Sequence, residues 1–362
     1  MLKRRLKWLR RLALRVAWFL AVVLLLLGFG AAGGYLWLQK DFRAAGPAAS
    51  TSRIEVAPGA SLRSVLGRLE AMGVLRHARA TEGYLRLRGR HPRIQAGLYE
   101  LPPRASAEDI IGYFEQGRVV LEQLTVLEGA TFAEFLEAHA AHPYVLHALQ
   151  GKTPAQVMAA LGHPGVPAEG QFFPDTYRFA ASTADVAILA LAYDSMQRAL
   201  AAAWTGRSPG LPFETPYQAL TLASMVEKEA ELKSERARIA GVFVRRLRLG
   251  MRLQSDPTVI YGLGERYDGS IHTRDLLADT PYNTYTRVGL PPTPIALPGR
   301  ESLLAAVQPE ATDALYFVAT GRGGGAHQFS RTLEEHNSAV KAYINRLRNA
   351  ERRLPAKSAA QP

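Results

Sequence analysis

Cysteine is absent from all 362 residues. That excludes disulfides, thiolate metal sites and a lipid-modified N-terminal cysteine. The nine histidines form neither HExxH nor another tight ligand pair, so no metal site is expected. GRGGG (321–325) lacks the strand–GxxxxGK[ST]–helix setting of a phosphate loop, and no GxSxG elbow offers a serine nucleophile. Lys228 stands without other residues that would argue for a pyridoxal phosphate enzyme. Acidic charge is missing from residues 1–15, which carry Lys3, Arg4, Arg5, Lys7, Arg10, Arg11 and Arg15. Of the 44 Lys and Arg, these seven account for most of the +12 net charge; the remaining 37 face 32 acidic groups. The basic excess is therefore a local topology signal, and no nucleic-acid-binding surface is implied.

With 48% hydrophobic and 21% charged residues, the chain can form a globular core. Residues 16–38 (VAWFLAVVLLLLGFGAAGGYLWL) contain no charge. At about 1.5 Å per residue in a helix, such a run crosses the hydrocarbon core of a bilayer. Trp18 suits the near interface, and Tyr35 and Trp37 the far one. The positive-inside rule keeps the N-terminus cytoplasmic and exports everything after Lys40. GFGAAGG would also suit a signal-peptide cleavage site, but apolar residues continue beyond it, which favours a retained anchor.

Phe42–Ser52 (FRAAGPAASTS) reads as a short tether. A weak repeat follows, three times an extended segment, a turn, and a Ser or Thr opening a helix: IEVAPGASLRSVLGRLEAMGVL, YELPPRASAEDIIGYFEQGRVV and LTVLEGATFAEFLEAHAAHPYV. Ser61, Ser106 and Thr131 occupy N-cap positions, and Thr131 with Glu134 makes a capping box. Such units pack as small α+β structure; the first copy also resembles the opening of a LysM glycan-binding module. EGQFFPDTYRF (169–179) suggests a packed corner or a cleft wall. Residues 186–204 read as a helix, Thr215 and Pro216 as the cap and first position of the next. Residues 251–264 (MRLQSDPTVIYGLG) read as strand-like and turn-rich. The proline-dense stretch 274–299 has the length of a functional loop. Residues 314–320 form a strand, HQFS resumes extended structure after GRGGG, and residues 332–352 form a closing helix before a tail expected to be disordered.

The longest helix-favouring run is ALTLASMVEKEAELKSERARIAGVFVRRLRL (219–249), with no proline and Gly241 inside it. At about 100° per residue, Leu222, Met225, Val226 and Leu232 fall on the side of Glu229, and Glu227 points nearly opposite. A carboxylate on an apolar stripe must be paired or have its pKa raised by desolvation, and a raised pKa suits a general acid near neutral pH. The competing role for Glu229 is an ion pair with Lys233 at i+4. Glu227, Glu235 and Arg236 read as surface charges; Asp256, Tyr282 and Asn283 could be turn formers. Ser224, about 140° round the helix from Glu229, is a poor partner for it.

Taken together the motifs are specific. EGQFFPDTY, LASMVEKEAELKSERARIAGVFVRRLRLGMRLQSDPTVIYGLGERYDG, YNTYTRVGLPPTPIALPG and LYFVATGRGGGAHQFSRTLEEHN, in that order, resemble the MltG (YceG-like) family of endolytic murein transglycosylases. The resemblance covers residues 53–347 and departs from the family pattern mainly between Leu136 and Glu169. It implies an α+β chain with a basic cytoplasmic segment (1–15), a transmembrane helix (16–38), a linker (39–52), a LysM-like small α+β subdomain (53–125), a mixed α+β catalytic domain with a central glutamate-bearing helix (126–350) and a tail (351–362). It further implies an inner-membrane protein with its catalytic part in the periplasm, cleaving nascent peptidoglycan glycan strands without a cofactor, beside peptidoglycan synthases. The family's catalytic glutamate is the second Glu of EKE, Glu229 here, in agreement with the helical-face argument. Gln254, Asp256, Tyr282 and Asn283 are assigned to lining the cleft. The alternatives are a non-catalytic peptidoglycan-binding scaffold, or a muramidase hydrolysing the same bond with Asp256 as second carboxylate.

Overall fold

The computed structural model describes the backbone of residues 2–353 and the side chains of residues 14–349. The basic side chains before residue 14, and the expected tail from residue 354, lie outside the described residues. The chain is mixed α+β and divides into two compact units: the chain to Glu122 with Phe179–Thr183, and Gln123–Arg178 with the chain from Ala184 on.

The first unit opens with α1 (Leu2–Arg43), whose stretch Leu14–Arg43 is long and apolar enough to cross a membrane. Trp18, Phe19 and Leu24 on it are exposed. Then come β1 (Ser52–Val56), α2 (Leu62–Ala71), α3 (Ala78–Leu87), β2 (Gly97–Leu101), α4 (Ala107–Glu115) and β3 (Val119–Thr125). Strands β1 and β2 pair antiparallel with Ile54 opposite Tyr99, and β2 pairs antiparallel with β3. Side chains alternate across a strand, so Ile54 and Val56 of β1 meet Tyr99 and Leu101 of β2 in a core closed by Leu66, Leu69, Ile110 and Phe114. Ser61 and Ser106 accept hydrogen bonds from the first turns of α2 and α4, as their positions in the repeat predict. The expected tether is not loose. Phe42 is buried against Tyr84, and Gly46 N–H donates to the Arg104 carbonyl at 3.0 Å.

The second unit holds α5 (Phe132–Ala140), β4 (Val145–Leu146), α6 (Pro154–Ala160), most of β5 (Thr176–Ala180), the end of β6 (Thr183–Ala184), α7 (Asp185–Thr205), α8 (Pro216–Glu229), α9 (Arg236–Arg248), α10 (Asp256–Leu263), α11 (Thr273–Leu277), α12 (Arg300–Val307), β7 (Tyr316–Ala319), β8 (His327–Ser330) and α13 (Leu333–Arg353). Thr131 and Glu134 form the expected capping box of α5. Strands β7 and β8 form an antiparallel hairpin around GRGGG. Its Gly325 is required by its φ of 69° and by close approach, since a Cβ there would fall 2.5 Å from the Cβ of Glu231.

The core of this unit is α8, packed between α7, α9 and α12, with Leu220, Leu222, Met225 and Val226 fully buried. Thr215 caps α8 through a reciprocal box with Gln218, and Pro216 occupies its first turn, as expected. The 219–249 run is not one helix. It stops at Glu229, turns extended at Ala230 and restarts at Arg236. Glu227 and Arg236 explain the break. Nine residues apart on a continuous helix, they would stand about 13.5 Å apart along the axis on opposite faces, whereas the structure joins them at 2.6 Å. The side chains of Glu227 and Arg236 are only 4% and 7% exposed, which corrects the surface roles expected of both. A second correction concerns residues 251–264, where α10 replaces the strand-like stretch. Pro257 sits in its first turn, where the missing N–H costs no helical bond.

Candidate active site

Glu229 is the last residue of α8 and lies half-buried in a pocket of about 500 Å³. Its Oε1 accepts a 2.6 Å hydrogen bond from the Ser255 hydroxyl. Lys233, the i+4 partner considered from sequence, instead lies 3.6 Å from Glu301. Burial raises the Glu229 pKa to about 7; Ser255 and Arg246 oppose that rise and Asp256 adds to it. Arg246 does not quench the acid, because its guanidinium is occupied elsewhere. It donates through Nε to the Leu315 carbonyl at 2.6 Å and through Nη1 to the Leu253 carbonyl at 2.7 Å.

A hydroxyl network supports Ser255. The Ser255 N–H donates to Thr284 Oγ1 at 3.0 Å, and Thr258 Oγ1 lies 2.9 Å from the same oxygen. The Thr258 hydroxyl also donates to the Ser255 carbonyl at 2.7 Å. These contacts fix the serine hydroxyl on the carboxylate. Beside it, Gln254 holds a left-handed backbone conformation with φ of 50°, uncommon for a residue with a Cβ. Its N–H donates to the Thr284 carbonyl at 3.1 Å, and its side-chain Oε1 lies 3.4 Å from Arg246 Nη1. Backbone held in a sparsely populated conformation is typical of functional sites.

Of the residues expected from sequence, Glu229, Gln254 and Asp256 come together in this pocket, with Gln254 and Asp256 exposed at its mouth. Asp256 accepts a 2.5 Å hydrogen bond from the Tyr285 hydroxyl. Tyr282 and Asn283 lie outside the lining. Tyr282 bonds Thr293 Oγ1 at 2.8 Å and meets the Tyr261 ring edge-on. Asn283 is buried, its amide donating to the carbonyls of Asp275, Leu276 and Ala278 while its Oδ1 accepts from Tyr285 N–H. With both amide hydrogens committed to the backbone, Asn283 shapes the segment carrying Thr284 and Tyr285 and has no donor to offer a ligand.

Sequence reasoning missed Ser255, Arg246 and Tyr285, and the wall built by Tyr316, His327 and His336. His327 is held by Glu235, which accepts from its N–H at 3.1 Å and pairs with Nδ1 at 2.8 Å; Glu235 is thus a positioning residue and not a surface charge. His336 stacks on Tyr316 with ring centroids 5.1 Å apart, and burial lowers its pKa. Any signal for Ser255 lay in its place between Gln254 and Asp256; its partner is set by the turn at Gln254, which no periodicity encodes. Ser224 is taken up elsewhere, accepting from Ile295 N–H at 3.0 Å, as its angle from Glu229 implies. The 169–179 string forms the packed corner. Buried Glu169 accepts from Phe132 N–H at 3.1 Å and from the Tyr261 hydroxyl at 3.1 Å, and burial raises its pKa to about 7.

This arrangement offers an acid protonated near neutrality at an open cleft, a second carboxylate at the rim, and polar and aromatic groups on the walls. The model of the YceG-like family matches residues 54–342. The chain is 32% identical to the endolytic murein transglycosylase of Bacillus subtilis, across 82% of this chain and 86% of that one. It is 27% identical to the endolytic murein transglycosylase of Streptococcus pneumoniae, across 90% of this chain and 65% of the longer streptococcal protein. A crystal structure of a yceG-like protein from Listeria monocytogenes superposes with a TM-score of 0.50 at 30% identity, covering 80% of this chain and 99% of that one.

Proposed function

The chain belongs to the YceG-like family, and from that premise we propose that it is an endolytic lytic transglycosylase of peptidoglycan. Its substrate is the β-1,4 bond between N-acetylmuramic acid and N-acetylglucosamine within nascent glycan strands. The observation that carries this reading is the Glu229 carboxyl, bonded to Ser255 in an open cleft and titrating at about 7. Protonated Glu229 donates to the glycosidic oxygen as the bond from C1 breaks. The resulting carboxylate removes the proton from the muramoyl C6 hydroxyl, whose oxygen closes onto C1. A 1,6-anhydromuramoyl end forms, no water is consumed, and Glu229 regains its proton.

Acid–base help of this kind contributes on the order of 10²–10⁴ in rate. Positioning and stabilisation of the oxocarbenium-like transition state supply the rest. Asp256, held by the Tyr285 hydroxyl, stands at the rim of the cleft, and the strained Gln254 presents its amide to the strand. Ser255 donates more strongly to the carboxylate than to the acid, so it favours the state that must collect the second proton. Tyr282 and Asn283 act behind the cleft wall. In the same reading α1 anchors the chain in the inner membrane with its N-terminus cytoplasmic, residues 53–125 form a LysM-like subdomain, and residues 126–350 form the periplasmic catalytic domain. Termination of growing strands places the enzyme beside peptidoglycan synthases.

Mass spectrometry of fragments released from purified peptidoglycan, by the full chain in detergent and by its Glu229→Gln variant, tests the proposal. Anhydromuramoyl ends are expected from the first protein and not from the second. Reducing ends would turn the reading to a hydrolase and make Asp256 the next residue to change. Binding without products from either protein would leave a scaffold.

A further inference from the structure

Far in sequence from the residues of the cleft, three ligand-type side chains converge inside the second unit. His139 lies near the end of α5, His147 just after β4, and Asp185 opens α7. Taking one donor atom from each, all three atoms lie within 4.8 Å of one another. His139 and Asp185 are 4% and 2% exposed, and the His139 and His147 rings meet edge to face at 5.8 Å. The spacing of eight residues between the histidines, with the aspartate far downstream, matches no linear motif, which is why the sequence carried no metal expectation here.

A second observation concerns a member of the same cluster. Among the described residues, Nε2 of buried His139 has no hydrogen-bond partner. A buried ring nitrogen without a partner costs about 1–3 kcal/mol, and the Asp185 carboxylate in the same cluster is bonded to other donors. Asp185 Oδ2 accepts from Leu149 N–H at 2.7 Å and Oδ1 from Val186 N–H at 2.8 Å. Those two backbone donors hold the carboxylate in one orientation and leave each oxygen a further lone pair, which is how carboxylate ligands are fixed in metal sites.

We propose that His139, His147 and Asp185 bind a divalent transition metal, with zinc the best match to two imidazoles and one carboxylate. Zinc takes such donors at roughly 2.0–2.2 Å in a tetrahedral set, so a contraction of the cluster, led by rotation of the half-exposed His147, completes three corners and leaves the fourth to water. The site joins α5, the irregular chain after β4 and the start of α7. Its role is that of a cross-link in a chain that has no disulfide to offer, and it takes no part in the cleavage step.

The test uses the full chain, purified in detergent without a histidine tag and stripped with chelator, titrated with zinc chloride by calorimetry and with cobalt chloride by absorption. One zinc per chain is expected, with intense tetrahedral cobalt bands and a raised thermal midpoint. His147→Ala, at a half-exposed position, should fold normally and weaken zinc binding by at least ~10-fold while losing the bands. Asp185→Asn should weaken it likewise. The proposal is overturned by the absence of a stoichiometric zinc site, by equal zinc affinity in His147→Ala, or by cobalt spectra that stay octahedral.

Discussion

With Glu229 as the proposed general acid, its burial has opposite consequences for activity and for stability. Its folded-state pKa, raised from 4.5 to about 7 chiefly by desolvation, means that the charged form is disfavoured by folding. Below about 4.5 the group is protonated in both states and costs nothing; as pH rises through about 7 the native state must hold a desolvated charge. Replacing it with Gln removes that cost while leaving an oxygen to accept from Ser255. Glu229→Gln is therefore expected to be more stable than the parent by about 2 kcal/mol at pH 8 and near parity at pH 4.5, in urea unfolding at the two pH values. Some pH dependence will remain in the variant, because Glu169 is raised to about 7 by burial as well. The parent's cleavage rate should fall above about pH 7 as the acid deprotonates. A variant less stable at pH 8 than at pH 4.5 by as much as the parent would contradict the burial argument. The burial of Glu229 was legible in the sequence because Leu222, Met225 and Val226 share its helical face. Glu227 was not, because its partner Arg236 reaches it across a helix break.

At the scale of elements, helix beginnings were easier to read than helix ends. Ser61, Ser106, Thr131 and Thr215 all cap through their own side chains, a local interaction that the sequence displays directly. The stop at Ala230 has no glycine or proline to announce it. It follows from a buried charge cluster in which Arg236 meets Glu227 at 2.6 Å and Glu128 at 3.4 Å, while Glu227 also accepts from Gly299 N–H at 2.9 Å. Those contacts tie the end of α8 to α9 and to the loop before α12, and so set where Glu229 emerges. Arg236→Met leaves Glu227 buried without its cation and should destabilise the second unit by roughly 3–5 kcal/mol. The double variant Glu227→Leu/Arg236→Met should recover most of that loss, because both charges then leave the interior together. Recovery of stability without recovery of activity would show that the pair is kept for the geometry of α8. A double variant as unstable as the single one would argue against a desolvation cost.

For the molecule as a whole, the apolar N-terminal helix and the first folded unit are continuous. Composition marked residues 16–38 as an apolar span and residues 42–52 as a tether, but it could not show that the chain continues as helix to Arg43 and enters a core. Phe42 is 3% exposed, with its ring 4.8 Å from that of Tyr84, and Tyr35 and Trp37 contact Tyr84 and His77. Asp41 pairs with His77 at 3.0 Å, and the Ala45 carbonyl accepts from Arg76. Small residues and a proline suggested flexibility at 42–52, whereas long-range contacts decide it, and those are invisible to a local reading. The position at which a soluble fragment begins should then matter. A fragment beginning at residue 34 keeps the aromatic turns of α1, whereas one beginning at residue 44 lacks Tyr35, Trp37, Asp41 and Phe42 and leaves Tyr84 and His77 without them. Loss of a buried Phe costs about 3–5 kcal/mol, so the first unit of the shorter fragment should unfold at markedly lower urea while the second unit's transition stays in place. Two fragments with the same pair of transitions would mean that the end of α1 only rests on this unit without supporting it.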